Sequence, residues 1–301
     1  MSTLQPVAVA CADIHLSHKP PAARAGEDNW YHAMARPLQE IRELAAMYNV
    51  PVLCSGDVFH SWNSPPELIN FAISNLPKMI AIAGQHDMPY HNEGEIKKSA
   101  FWTLVEARKI LIANPQGLYF GGGHDAFAFG FGWGEPVLSP DHVKKGFKVA
   151  LVHEYVWHDK AKYTGAPENQ QLNIDKYRGY NTVIIGDNHI PWNYDTSICN
   201  MGSLMRRNSD QVNHHPRVGI IMSDGSVQSH YLDCSKDVLE TPSVSQMVDA
   251  GINFTDVMNE LRNLSGATLD FAALLRQLME QKGTDPRVAK YLLEALEHDK
   301  G

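Results

Sequence analysis

Five short clusters of potential metal ligands, each directly after a run of apolar residues, constrain this chain more than any other feature. They are Asp13-Ile14-His15, Gly56-Asp57-Val58-Phe59-His60, Gly84-Gln85-His86-Asp87, His153-Glu154 and Gly186-Asp187-Asn188-His189. The runs before them are Val7 to Cys11, Val50 to Cys54, Met79 to Ala83, Val149 to Val152 and Thr182 to Ile185. Each is short, apolar and bounded by turn residues, which predicts a β-strand. Side chains fixed just past strand ends are where an open α/β sheet gathers its chemistry. Carboxylates, imidazoles and one amide converging there describe a site for two divalent cations.

The segments between these strands alternate with helices. Ile41, Leu44, Ala45 and Tyr48 stand at core spacing and predict a helix from about Trp30 to Tyr48. Ser64-Pro65-Pro66-Glu67 opens a second, with Ser64 as its expected N-cap, and a third runs near Ser99 to Lys109. Short glycine-punctuated runs between Gly117 and Trp133 read as antiparallel strands, and the polar stretch 157–180 as one long loop. Ser223-Asp224-Gly225-Ser226 marks a hairpin between Val218–Met222 and Val227–Leu232. From about Lys236 the character changes to three amphipathic helical patterns, beginning with Phe254, Val257, Met258 and Leu261. The expected division is therefore a catalytic domain over 1–235 and a helical tail over 236–301. The apolar stripes of that tail need a partner, either the catalytic domain, a second copy in a homodimer or another protein.

Charge neither supports nor excludes a nucleic-acid substrate. The net charge is −8 over 301 residues. Residues 236–301 hold 7 Lys/Arg against 11 Asp/Glu, and the remainder holds 19 against 23. Two divalent cations would bring the first 235 residues near neutrality, because bound ions are the largest local charges in a site. No apolar run of about 18 residues and no secretory signal pattern is present, so no membrane span is expected. Cys11, Cys54, Cys199 and Cys234 are far apart and lack metal or redox spacing, which points to reduced thiols in a cytoplasmic protein.

A two-metal hydrolytic centre needs one carboxylate to bridge the ions and enough further donors to hold them about 3.5–4 Å apart. Asp57 suits the bridge, since Gly56 permits the tight turn that presents it. In Asp13-x-His15 alternate residues of an extended backbone face the same way, and Asp187-x-His189 repeats that spacing. His86 is placed to donate a proton to a leaving group, with Asp87 beside it to orient or charge it. A lone histidine such as His153 is ordinarily a hydrogen-bonded core residue, and a Gly-Asp pair is ordinarily just a turn. Five such blocks in one order, each at a strand end, change that reading.

This order of motifs resembles the calcineurin-like metallophosphoesterase superfamily, whose pattern is DxH, GDxx(D/N/H), GNH(D/E), H and GHxH. Gly56 to Pro66 (GDVFHSWNSPP) and Ile198 to Arg207 (ICNMGSLMRR) are similar to the DNA-repair nuclease branch that contains the SbcD-type nuclease subunit. The resemblance covers roughly residues 5–235. It implies a four-layer α/β/β/α sandwich of two mixed sheets, here with a small helical C-terminal appendage. It implies a first metal on Asp13, His15, Asp57 and His189, and a second on Asp57, Gln85, His153 and Asp187. His86 would be the general acid, and His60 would position the phosphodiester.

Two positions depart from the family pattern, and both fall on the second metal. Gln85 stands where the family has asparagine, and Asp187 where it has histidine. The resulting donor set is rich in oxygen, which favours Mn²⁺ or Mg²⁺, with Mn²⁺ the first expectation. The pair reads either as a compensated site or as a degenerate one. The resemblance implies a DNA exo- or endonuclease of recombination or repair, with a coiled-coil ATPase subunit as partner. The same metal core also serves nucleotide and RNA phosphodiesterases and phosphatases, and a decayed core would serve a structural subunit. Among the basic residues that follow the motif strands, Arg206 and Arg207 are the expected contacts to a DNA backbone.

Overall fold

The computed structural model describes residues 4–121, 125–163 and 166–239. In chain order the strands there are β1 (Pro6–Cys11), β2 (Val52–Cys54), β3 (Met79–Ala81), β4 (Ile110–Ile112), β5 (Leu118–Gly121), β6 (Ala126–Phe131), β7 (Phe147–His153), β8 (Thr182–Gly186), β9 (Trp192–Tyr194), β10 (Ile198–Asn200), β11 (Arg217–Met222) and β12 (Val227–Tyr231). They form two six-stranded sheets, ordered β12-β11-β1-β2-β3-β4 and β5-β6-β7-β8-β10-β9. In the first sheet β1 to β4 run parallel, and β11 and β12 close one side antiparallel. In the second, β6, β7, β8 and β10 run parallel, with β5 and β9 antiparallel at the two edges. Both sheets are mixed, as expected.

Three apolar layers hold the sheets. Val7, Ala8, Ala10, Leu53 and Ile80 of the first sheet face Ala126, Ala128, Val149, Leu151 and Ile184 of the second. Alanines alternate with Val, Leu and Ile in this seam, so side chains of the two inner faces form one core. The outer face of the first sheet lies under α1 (Trp30–Tyr48), α2 (Pro66–Asn75) and α3 (Ala100–Glu106). The outer face of the second sheet is covered by Val156, Ala161, Leu172 and Tyr177, from the long loop and its two short 3-10 segments, Glu168–Gln170 and Ile174–Tyr177. The fold is thus two mixed sheets flanked by helical layers.

Helix α1 has the predicted bounds. Asn29 caps its start by accepting from the His32 N–H, and Asn49 ends it in a left-handed conformation. Its buried residues Trp30, Ala33, Met34, Leu38, Ile41, Leu44 and Ala45 recur at three- and four-residue steps. Ser99 caps α3. Ser64 does not cap α2: Pro65 takes the N-cap position, and the Ser64 hydroxyl donates to the Ser61 carbonyl instead.

The last described residues are tied to the sandwich through charge. Arg24, fully buried, donates to Asp237 and Glu27, and Arg36 and Arg206 reach the same two carboxylates between them. A cut just before Asp237 would leave the Arg24 guanidinium buried with one of its two carboxylate partners gone, which is costly. The helical tail expected after residue 239 lies outside the described residues. Among the described residues, no helix is long and apolar enough to cross a membrane.

Candidate metal centre

The parallel strands deliver all five ligand clusters to one rim. Cys11, Cys54 and Ala81 stand level at the ends of β1, β2 and β3, and His153 pairs with Gly186 where β7 and β8 end. Beyond those ends the backbone turns sharply. Asp13, His15, Asp57 and Asp187 all adopt positive φ, at 50°, 49°, 52° and 84°. Non-glycine residues held in this region cost free energy, and such strain concentrates at functional sites. Gly84 explains part of the local packing. A Cβ at that position would overlap the Asp57 carboxylate, so only glycine lets the loop after β3 close over it.

Asp57 lies at the centre of the cluster and is fully buried. Its Oδ1 accepts from the His86 backbone N–H at 3.0 Å. Its Oδ2 has no hydrogen-bond partner, yet stands 3.6 Å from His15 Nε2 and 3.4 Å from His153 Nε2. On one side of it His15 Nε2 and His189 Nε2 approach to 2.9 Å, and Asp13 Oδ1 lies 4.0 Å from His189. On the other side Gln85 bridges two residues. Its Oε1 is 2.7 Å from His153 Nε2, and its Nε2 donates to Asp187 Oδ1 at 2.8 Å. Asp13, His15 and His189 form one compact ligand group, and Asp13, Asp57 and His153 form another.

The electrostatics favour ligation. Burial opposes ionisation of Asp57, but His153 and then His15 overcome it and hold the carboxyl well below the usual range. Burial lowers His15 and His189, so both present neutral imidazoles. Burial together with the Arg207 charge pushes His60 down to about 4. Asp13 moves up through burial and its neighbours Asp57 and Asp187. Burial would lower His153, but the Asp57 charge dominates and raises it to about 10. A charged His153 donates from Nδ1 to the Ser55 carbonyl and from Nε2 to Gln85 Oε1.

An unpartnered, fully buried carboxylate oxygen between two imidazole nitrogens is the arrangement that a cation resolves, so the residues present fit a divalent metal. Ligation through His153 Nε2 requires loss of its proton. Since the folded value of about 10 lies above neutral pH, we expect metal binding at pH 7.5 to release about one proton from this residue. Affinity should then tighten as pH rises toward 10. Titration calorimetry in buffers of different ionisation enthalpy measures the release, and none would remove His153 from the ligand set.

The two departures from the family pattern touch each other through the Gln85–Asp187 hydrogen bond. The longer side chain at 85 reaches the carboxylate at 187, as a compensated pair requires. Asp187→His alone would leave the Gln85 amide without its acceptor, and we expect it to weaken Mn²⁺ binding. Alanine at each position should weaken it too, with a coupling of about 0.5–3 kcal/mol in the double variant. Additive losses would show that the two side chains act separately.

Two expectations need correction. Asp87 does not orient His86. Its carboxylate is buried and accepts from the backbone N–H groups of Val58, Phe59 and Gly84, which pins the two loops together. The His60 carbonyl takes the orienting role, 2.9 Å from His86 Nδ1, and the His60 and His86 rings stack at 5.2 Å. Arg206 and Arg207 are not free for a DNA backbone. Arg207 is 9% exposed and donates to the His15 carbonyl and Ser17, while Arg206 pairs with Asp237 and the Cys234 carbonyl. Both serve the fold, and Arg207 also fixes the carbonyl of a candidate ligand.

Sequence reasoning gave no role to several residues that hold the candidate ligands in place. The Ser55 carbonyl orients His153 at 2.6 Å, and the Ser55 hydroxyl ties β2 to β8 through the Ile184 carbonyl. Buried Asn188 donates to the Val156 and Ala161 carbonyls, fastening the long loop beside Asp187 and His189. Asn200 donates to the Asn188 carbonyl and accepts from Gly202. The only sequence signal for these was proximity to the motifs.

Several known proteins resemble the chain. The structure of the calcineurin-like phosphoesterase YfkN from Bacillus subtilis is 12% identical, with 86% of this chain and 99% of that chain covered and a TM-score of 0.44. A 5'-nucleotidase precursor from Thermus thermophilus is 13% identical over 78% of this chain and 55% of that chain, at 0.42. A metallophosphoesterase from Sphaerobacter thermophilus is 15% identical over 81% and 93%, at 0.36. A search of curated proteins finds no significant match. The sequence signature described as calcineurin-like phosphoesterase matches residues 7–193, a span that contains all five ligand clusters. By that match, over more than half its length, the chain belongs to the calcineurin-like phosphoesterase family.

Proposed function

We propose that this protein is a two-metal phosphodiesterase that cuts DNA. The supporting observation is the unpartnered Asp57 Oδ2 between His15 and His153, with His60 and His86 stacked beside it. Asp13, His15, Asp57 and His189 would hold one divalent cation, and Asp57, Gln85, His153 and Asp187 the other. When bound, the cations polarise a phosphoryl oxygen and lower the pKa of water. In hydrolysis a water oxygen loses a proton to solvent and bonds to phosphorus while the bond to the leaving oxygen breaks. His86, fixed at Nδ1 by the His60 carbonyl, supplies the proton to that leaving oxygen from Nε2. His60, kept neutral by burial and Arg207, positions the diester.

The DNA assignment rests on the likeness of Gly56 to Pro66 and Ile198 to Arg207 to the SbcD-type nuclease branch. A coiled-coil ATPase subunit is the partner that likeness brings with it. The purified full chain with Mn²⁺ should hydrolyse single- and double-stranded labelled DNA as well as a chromogenic phosphodiester. Hydrolysis of the chromogenic diester or of nucleotides alone would reassign it to small phosphodiesters, and no hydrolysis at all would mark a structural subunit.

A further inference from the structure

The loops after β2 and β3 carry a second pair of rings beyond the histidines. His60 and His86 stack at 5.2 Å with 19° between their planes. Two residues after His60 and four after His86, Trp62 and Tyr90 meet at 5.5 Å and 52°. His91 then meets Trp133 at 5.5 Å, from the segment that follows β6. Trp62, Tyr90 and His91 thus follow within five residues of the stacked histidines along the chain.

Two of these rings are exposed, while Trp62 is half-buried. Tyr90 is 79% exposed and Trp133 38%. Tyr90 (φ 53°, ψ 29°) and His91 (φ 57°) are consecutive non-glycine residues in the left-handed region. Buried Met88 and Pro89 anchor the chain just before them, and the Trp62 carbonyl accepts from Ala100 at 2.8 Å. Among the described residues no hydrogen bond uses the Tyr90 hydroxyl. Strain that presents a large ring to water, four residues from His86, suggests a functional use for the ring.

We infer that Trp62, Tyr90 and Trp133 form a stacking platform for unpaired nucleobases next to the phosphate being cut. This rests on the nuclease reading above and narrows it to nucleotides whose bases are free. A base is tethered to its phosphate by one sugar, so a diester held at His60 and His86 puts its neighbouring base near these rings. Bases within a duplex already stack on one another, and only an unpaired base offers its face to a protein ring. Stacking of this kind is tolerant of sequence and strong enough to register in a single substitution.

The test compares binding of two single-stranded oligomers of equal length, one of deoxythymidine units and one of abasic units, in EDTA so that nothing is cut. The wild type should bind the base-bearing oligomer more tightly than the abasic one. Tyr90→Asn removes the ring and suits the left-handed backbone, and it should reduce that ratio about tenfold. Tyr90→Phe should preserve it, and Trp62→Leu should lower it as a second, independent variant. An unchanged ratio in both Tyr90→Asn and Trp62→Leu overturns the platform while leaving DNA cleavage intact. A wild type that hydrolyses a chromogenic diester with Mn²⁺, yet neither binds nor cuts either oligomer, overturns the nuclease reading and the platform together.

Discussion

Asp57→Asn should abolish hydrolysis of every substrate while leaving the protein folded. The substitution keeps the size of the side chain and one acceptor for the His86 N–H, but removes the carboxylate charge that stands between His15 and His153. Metal-assisted polarisation is worth several kcal/mol, so we expect a loss of about 10³-fold or more in kcat/KM on a chromogenic phosphodiester. Calorimetry should show that Mn²⁺ binding falls with it. A second consequence separates this from simple unfolding. Asp57 is the strongest influence holding His153 up against burial, so in the metal-free variant the imidazole should titrate well below about 10. NMR of the ring nitrogens reads that directly. A variant that keeps substantial activity would show that Asp57 bridges nothing.

His86→Ala should behave differently. The imidazole ring lies outside the two ligand groups that contain Asp13, joining only His15 and His60 in a third, and its backbone N–H, which bonds Asp57, survives the substitution. We therefore expect Mn²⁺ affinity to be kept while kcat falls about 10²–10⁴-fold, the usual contribution of a positioned proton donor. The loss should shrink for a diester with a very acidic leaving group, which departs without a proton. Equal losses for good and poor leaving groups would assign His86 to phosphate positioning rather than proton transfer.

The strand ends and the candidate ligands beside them were legible because both signals are local. An apolar run stops, the backbone turns, and a carboxylate or imidazole follows within a few residues, as at Cys11 to His15 and Cys54 to Asp57. Helix α1 was equally legible, since its buried positions repeat over nineteen residues. Three-residue strands such as β4 and β9 are too short to show a period and were passed over. Asp87 misled because it adjoins His86 in sequence. Consecutive residues of a tight turn need not point the same way, and three buried backbone N–H groups required an acceptor. Arg206 and Arg207 misled because a basic pair after a strand resembles a solvated patch, whereas here Asp237, the His15 carbonyl and the Cys234 carbonyl claim both guanidinium groups. The stack of His60 on His86 joins residues 26 apart, and the bond between Gln85 and Asp187 joins residues 102 apart. No local pattern encodes such pairings.

Anomalous diffraction from a crystal of the full chain soaked in Mn²⁺ would test the two-metal reading most directly. We expect two peaks about 3.5–4 Å apart on either side of the Asp57 carboxylate. One should be shared with Asp13, His15 and His189, and the other with Gln85, His153 and Asp187. A single peak would mean that the Gln85–Asp187 position has lost its ion, and no peak touching Asp57 would contradict the metal centre altogether.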